Sequence, residues 1–164
     1  MKIEDIIEQL DQVQNGYLWI GTNYTKMLAQ VDDNSAFIRP TKYLHSVAEI
    51  ISHLTMWRKE TILKINTGKG SKTDDCEENW LSNDKLQVPG WNAIKSEYDN
   101  TQKELIALLK TKDDGLLNTK YYDTDFAGYY PYSFAIYGML HHDLYHLGQL
   151  GIILRHLAVT KTIS

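Results

Sequence analysis

His142-Asp143-Leu144-Tyr145-His146-Leu147-Gly148-Gln149 is the stretch on which the reading of this chain turns. It sets two histidines four residues apart, with a carboxylate directly after the first. At 100° per residue, Met139, Leu150, Ile153 and Leu157 fall within about 60° of one another on a helix. That apolar stripe has to face a core. His146 falls inside it and His142 on its margin, so the two imidazoles stand one above the other on the buried side. His141 points about 100° further round, and His156 is also outside the stripe. Imidazoles in apolar surroundings need polar partners, and each unpaired polar group costs roughly 1–3 kcal/mol. A shared metal ion satisfies both rings at once. Two core histidines bonded to their neighbours would also be satisfied, and spacing alone leaves both readings open, because His-x-x-x-His is a common ligand spacing but not a rare string.

The helix carrying this motif is expected from about Tyr132 or Ser133 to about Ala158. Upstream, Val47, Ile50, Ile51, Leu54, Arg58, Thr61 and Ile65 line one face of a helix expected from about Ser46 to Ile65, with Gly68 and Gly70 ending it. Ile3, Ile6, Ile7 and Leu10 give a first helix, broken at Asn15-Gly16, and a short helix is plausible from Asn23 to Val31. Ile94, Tyr98, Leu105 and Leu109 give another, from about Pro89 or Trp91 to Leu109. The chain has only three prolines, at 40, 89 and 131, and each falls where a helix is about to start,. Between the helices lie a polar loop, about Thr67 to Val88, and a loop rich in tyrosine: Tyr121, Tyr122, Tyr129, Tyr130 and Tyr132. Four long helices in 164 residues predict an all-α fold, a four-helix bundle built as a single domain over residues 1–164,.

Composition narrows the function. The net charge is −4 and the pI about 5.8, so the basic face of a nucleic-acid binder is not expected. No apolar run approaches the roughly 20 residues of a membrane span. Met1-Lys2-Ile3-Glu4-Asp5 lacks the layout of a signal peptide. The one cysteine, Cys76, lies among Asp74, Asp75, Glu77 and Glu78, a setting that disfavours the thiolate, so it reads as an incidental thiol. The expectation is a cytoplasmic protein with no nucleic-acid or membrane partner.

A third ligand has to come from another helix. His53 lies at the edge of the second long helix's apolar face, which makes it the best candidate. His45 precedes that helix, Glu49 lies one turn before His53, and the physical margin over these two is modest. On the wheel Asp143 points toward the core, where a lone carboxylate is costly. It could orient a ligand imidazole by accepting its N–H, or turn to solvent at the bundle end.

At this point the chain resembles a known family. His142 to Gln149 matches in full the H-D-x-Y-H-x-G-Q signature of the DinB/YfiT-like superfamily. Ser46-Val47-Ala48-Glu49-Ile50-Ile51-Ser52-His53-Leu54 resembles its second-helix segment, where Glu precedes a metal-binding His by four residues. Asn15-Gly16-Tyr17-Leu18-Trp19-Ile20-Gly21 is similar to a Trp-x-Gly element of some members. The resemblance implies up-down-down-up connectivity, a metal triad of His53, His142 and His146, and a homodimer. It implies a small-molecule substrate as well. Some relatives are transferases that join low-molecular-weight thiols such as bacillithiol to electrophiles, and others are thiol-dependent isomerases. His45 stands where relatives often carry an aromatic residue, a departure at the rim of the site.

Three neutral imidazoles leave a divalent ion its full charge and at least one open position, the mark of a catalytic site. Such an ion activates water or a thiol. Histidine ligands suit Zn²⁺ and Ni²⁺ foremost, and Fe²⁺, Mn²⁺ or Cu²⁺ as well. The expectation is a metal-dependent thiol transferase or hydrolase. The rival is a non-catalytic metal-binding module, in which the ion only ties two helices together. The tyrosine-rich loop and the Trp19 segment could cover the site, although Tyr129, Tyr130 and Tyr132 read more simply as packing residues at helix ends. Tyr145 is expected to point away from His146. Gln149 lies near His142 on the wheel and either bonds to another helix or reaches the site.

Overall fold

The computed structural model describes residues 2–163, with side chains to residue 158. In chain order the elements are α1 (Ile3–Asn15), α2 (Tyr24–Leu28), α3 (Val47–Thr67), α4 (Asn83–Gln87), α5 (Trp91–Lys110), β1 (Lys120–Asp123), β2 (Gly128–Pro131) and α6 (Tyr132–Ile163). The helix ends follow local chemistry. Ser46 caps α3, its hydroxyl accepting from Glu49 N at 3.2 Å while the Glu49 carboxylate accepts from Ser46 N at 2.8 Å, a reciprocal box that satisfies two otherwise unpaired donors. At the other end Gly68 takes a left-handed φ of 76°, which glycine adopts without the Cβ penalty. Pro131 closes β2 and leads directly into α6, as its position implied.

The contacts between helices determine the connectivity. Ile3 N donates to Asp114, just past α5, while Gln102 donates to the Leu10 carbonyl and Tyr98 to Gln14. α1 and α5 are therefore antiparallel. Tyr132 donates to the Lys64 carbonyl and Arg58 pairs with Asp143, so α3 and α6 are antiparallel. Ser46, at the head of α3, bonds Asn83, shortly before α5, and Arg58 meets Tyr98 further along both helices, so these two run parallel. α1 and α6 both start beside residues 114–119 and also run parallel. The result is the up-down-down-up four-helix bundle.

Its core is one cluster, with Ile6, Leu10, Ile50, Ile51, Leu54, Tyr98, Leu105, Leu109, Leu147 and Leu150 almost wholly buried. Each such aliphatic side chain contributes about 1.5–3 kcal/mol of burial free energy. Among the described residues no helix is long and apolar enough to cross a membrane.

Two stretches expected as loops carry structure. The tyrosine-rich stretch forms a hairpin with Tyr121 opposite Tyr130 and Tyr122 opposite Tyr129. Its strand alternates, with Tyr121 buried and Tyr122 half-buried, and Asp123 closes the turn by accepting from Asp125 N and Phe126 N. The polar loop after α3 contains a 3₁₀ turn, Glu77–Trp80, and then α4.

Candidate metal centre

α3 and α6 cross antiparallel, so a residue early in α3 meets residues in the middle of α6. His53 thereby faces His142 and His146. The Nε2 atoms of His53 and His142 are 2.9 Å apart, and those of His146 and His142 are 3.0 Å apart. All three ligand atoms lie within 4.8 Å of one another.

The partners of the outer ring nitrogens decide what these atoms can do. His53 Nδ1 lies 2.9 Å from the backbone carbonyl of Asn79, which can only accept, so that nitrogen carries the proton. His146 Nδ1 is 2.7 Å from Gln149 Oε1, which likewise accepts. In the neutral rings both Nε2 atoms are therefore bare lone pairs, and both face His142 Nε2. A single hydrogen on His142 can serve only one of them. The three-ring set lacks a shared positive partner.

Burial keeps the rings neutral. Desolvation, with the neighbouring imidazoles adding to it, lowers the His142 pKa to about 3 and the His53 pKa to about 4, and burial also lowers that of His146. Neutral imidazole is the form that binds metal. Metal–nitrogen bonds of about 2.0–2.1 Å at tetrahedral angles put ligand nitrogens roughly 3.3 Å apart. The two pairs made by His142 need to open by only a few tenths of an ångström, and the third pair lies within 4.8 Å, so the donor set fits a divalent ion.

Trp80 completes the mount. Its ring stacks on His53 at 3.9 Å and on His45 at 3.8 Å, within 9° of parallel. The turn Glu77–Trp80 thus holds His53 through a carbonyl and a ring face. Neither Asn79 nor Trp80 was found from sequence. The available signal was a tryptophan in an otherwise polar, acidic loop, which is out of place there unless it covers something.

The remaining candidates separate clearly. His45 lies outside the triad, stacked on Trp80. Glu49 is held by Arg39, His45 and the α3 cap and is no ligand candidate. The orienting role considered for Asp143 is corrected: its carboxylate pairs with the wholly buried Arg58 guanidinium at 3.0 Å instead of with an imidazole. Burial pushes that carboxyl up while Arg58 pulls against it. The orienting partners are Asn79 O and Gln149 Oε1. Tyr145 is also corrected: it borders the cavity, with its ring centre 4.9 Å from that of His146. Trp19 does not cover the site; it is fully exposed and does not line the cavity. Tyr129 is exposed, and Tyr130 packs on Phe126 and Phe134. His141 is exposed at the cavity rim, and Cys76 is half-buried away from the lining.

The triad opens on a cavity of about 1220 Å³ between α3, the Glu77–Trp80 turn, the hairpin and α6. A volume of this order accommodates a small organic molecule.

Comparison with known proteins agrees with this architecture. The sequence profile of the DinB superfamily matches residues 19–150. No curated protein sequence matches significantly. Among solved structures, a DinB-like protein from Bacillus subtilis superposes with a TM-score of 0.66 at 11% identity, over 94% of this chain and 92% of the other. YfiT from Bacillus subtilis, described as "a probable metal-dependent hydrolase with an unusual four-helix bundle topology", superposes with a TM-score of 0.63 at 12% identity, over 95% of this chain and 87% of the other. At these identities the likeness shows the fold.

Proposed function

Because the chain belongs to the DinB superfamily, we propose that it is a divalent-metal-dependent enzyme that joins a small nucleophile, water or a low-molecular-weight thiol, to a small electrophile. One observation carries the reading: three neutral imidazoles direct their Nε2 atoms at one point on the wall of a cavity large enough for a substrate. A bound divalent ion with an open position supplies Lewis-acid activation of the nucleophile. His53, His142 and His146 would hold it, with Zn²⁺ or Ni²⁺ the foremost candidates and Fe²⁺ or Mn²⁺ next. The Asn79 carbonyl and Gln149 fix two of the rings in the ligand tautomer,. Trp80 keeps His53 from swinging out.

A purely structural ion would have little to do. α3 and α6 are already joined by the Arg58–Asp143 pair and by the bond from Tyr132 to the Lys64 carbonyl. We further propose a homodimer, supported by Leu144 and Ile152, exposed on α6 outside the cavity lining. The enzyme reading is tested by metal analysis of the purified protein, followed by assay of metal-loaded and metal-free forms against epoxides, haloalkanes and activated esters, with water or thiols as nucleophile. The loaded form should be the active one. A loaded form that never exceeds the metal-free form would replace the enzyme reading with that of a binding module.

A further inference from the structure

Three turns beyond His53, α3 contributes a second polar side chain to the cavity. His53, Trp57, Thr61 and Lys64 all line it, at spacings that keep them on one face of the helix. Lys64 is almost wholly buried. Gly70 leaves room for its stem, since a Cβ there would stand 2.8 Å from Lys64 Cε. The ammonium donates to Asp123 Oδ2 at 2.9 Å. That carboxylate is saturated: Oδ2 also accepts from the Tyr121 hydroxyl at 2.8 Å, and Oδ1 accepts from Asp125 N and Phe126 N at 3.0 and 3.2 Å. Burial pushes its pKa up, but the bonds from Lys64, Tyr121 and the backbone outweigh burial and hold it below the usual carboxylate range. An ammonium has three donors. The other two on Lys64 meet no acceptor among the described residues; the rings of Trp57 and Tyr121, centred 5.7 and 5.5 Å away, give only a diffuse attraction,. A buried donor left unpaired is costly. With Asp123 filled and the Tyr121 hydrogen spent, this buried cluster offers the cavity donors.

Resting on the proposed enzymatic reading, we propose that Lys64 is the binding residue for an uncharged acceptor oxygen of the substrate, the carbonyl of a ketone, ester or amide, while the reacting atom lies at the triad and the body between them runs along Trp57. The indole is fixed for this, its N–H donating to Asn79 Oδ1 at 2.9 Å. The ammonium is 5.7 Å from the Trp57 ring centre, and that centre is 6.4 Å from the His53 ring, which bounds the span at about 12 Å, within reach of one small molecule. A divalent ion on the triad draws anionic groups to its own end and leaves the donors on Lys64 unchanged. At the Lys64 end the charge of Asp123 already balances the ammonium, and Asp74 and Asp125 add negative charge to the lining, so a neutral oxygen is preferred there over a carboxylate.

Acetophenone and α-methylstyrene have the same shape and differ in one group, C=O against C=CH₂, so their affinities isolate the acceptor. Both are titrated by NMR at pH 7.5 into the metal-free protein, where no ion competes for the oxygen. The preference for acetophenone over α-methylstyrene should fall about tenfold in Lys64→Met, as expected for loss of a hydrogen bond from a charged donor. Lys64→Met/Asp123→Asn removes both charges and keeps an oxygen for the hairpin turn, so it guards against a misfolded single variant and should show the same fall. In the wild type the Lys64 Nζ resonance should move with acetophenone and far less with α-methylstyrene. Benzoate should bind more weakly than acetophenone. A preference unchanged in a folded variant, equal movement of the Lys64 signal with both probes, or benzoate binding more tightly than acetophenone overturns the proposal. A chain that takes up no metal would end the enzymatic reading, while the role of Lys64 is still read directly from the metal-free titrations.

Discussion

Acidification should weaken the metal-free protein through its own triad. His53 and His142 titrate in the unfolded chain near the reference value of about 6.5, but in the fold burial lowers them to about 4 and about 3. Below pH 6.5 the unfolded chain therefore takes up protons that the folded one refuses. The stability these groups confer is fully present above pH 6.5 and is lost as the pH falls toward the folded values. Integrating from pH 7.5 to 5 gives a loss of about 2 kcal/mol for each ring, about 4 kcal/mol for the pair. His45 and His146 are shifted in the same direction by burial and add to it. For a chain of this length 1 kcal/mol moves the melting temperature by about 2–4 °C, so the pair alone predicts a fall of about 8–16 °C. The assay is thermal unfolding by circular dichroism in chelator at pH 7.5, 6 and 5, for the wild type and for His142→Gln. The variant should lose about 2 kcal/mol less over the same interval. A wild-type melting temperature flat between pH 7.5 and 5, or an identical fall in the variant, would refute the view that the rings are held neutral by burial.

His142→Ala and His146→Ala should each abolish stoichiometric metal binding, whereas His141→Ala and His156→Ala should leave it intact, as read by metal analysis after gel filtration. Gln149→Leu removes the acceptor that sets the His146 tautomer and should weaken metal affinity about 10–100-fold, the usual effect of losing an orienting partner, with the melting temperature of the metal-free protein changed far less. Arg58→Met strands the Asp143 carboxylate and should cost about 3–5 kcal/mol in chemical denaturation; Arg58→Met combined with Asp143→Leu should recover most of it, since replacing both members of a buried pair is often neutral.

The four long helices were legible because each repeats its apolar residues at helical spacing and ends at a recognisable signal. The Gly68 end of α3 and the proline before α6 are where composition placed them. The triad was half legible. The spacing of His142 and His146 showed a shared face, but the choice of His53 over His45 and Glu49 depended on how far α3 is rotated, which no local pattern records. The hairpin was missed because two four-residue strands leave only a short alternation, and its tyrosines pack equally well in a loop. Asn79 and Trp80 were missed because their role depends on a loop returning to α3 across more than twenty residues. Asp143 was placed correctly in the core but given the wrong partner. Arg58 falls on the apolar face of α3, where an arginine is itself the signal that a buried carboxylate waits opposite.

That pairing explains how a bundle with interchangeable apolar layers holds its triad in register. Arg58 lies five residues beyond His53, and Asp143 directly follows His142. The guanidinium also receives the ring face of Tyr98 at 4.1 Å and bonds its hydroxyl. Tyr98 in turn donates to Gln14 on α1, and Tyr24 on α2 donates to the Asp143 carbonyl. One buried polar layer thus touches all four long helices just below the imidazoles. Turning α6 by a single residue, 100° about its axis, would strand Arg58 and Asp143 as separate buried charges at a cost of about 3–5 kcal/mol, whereas the surrounding leucines and isoleucines would resist such a slip far less specifically. The rotation of α6 that satisfies the ion pair is also the one that sets His142 and His146 opposite His53. The triad is therefore formed by the fold before any ion arrives, and the free energy of metal binding is not consumed in folding the chain.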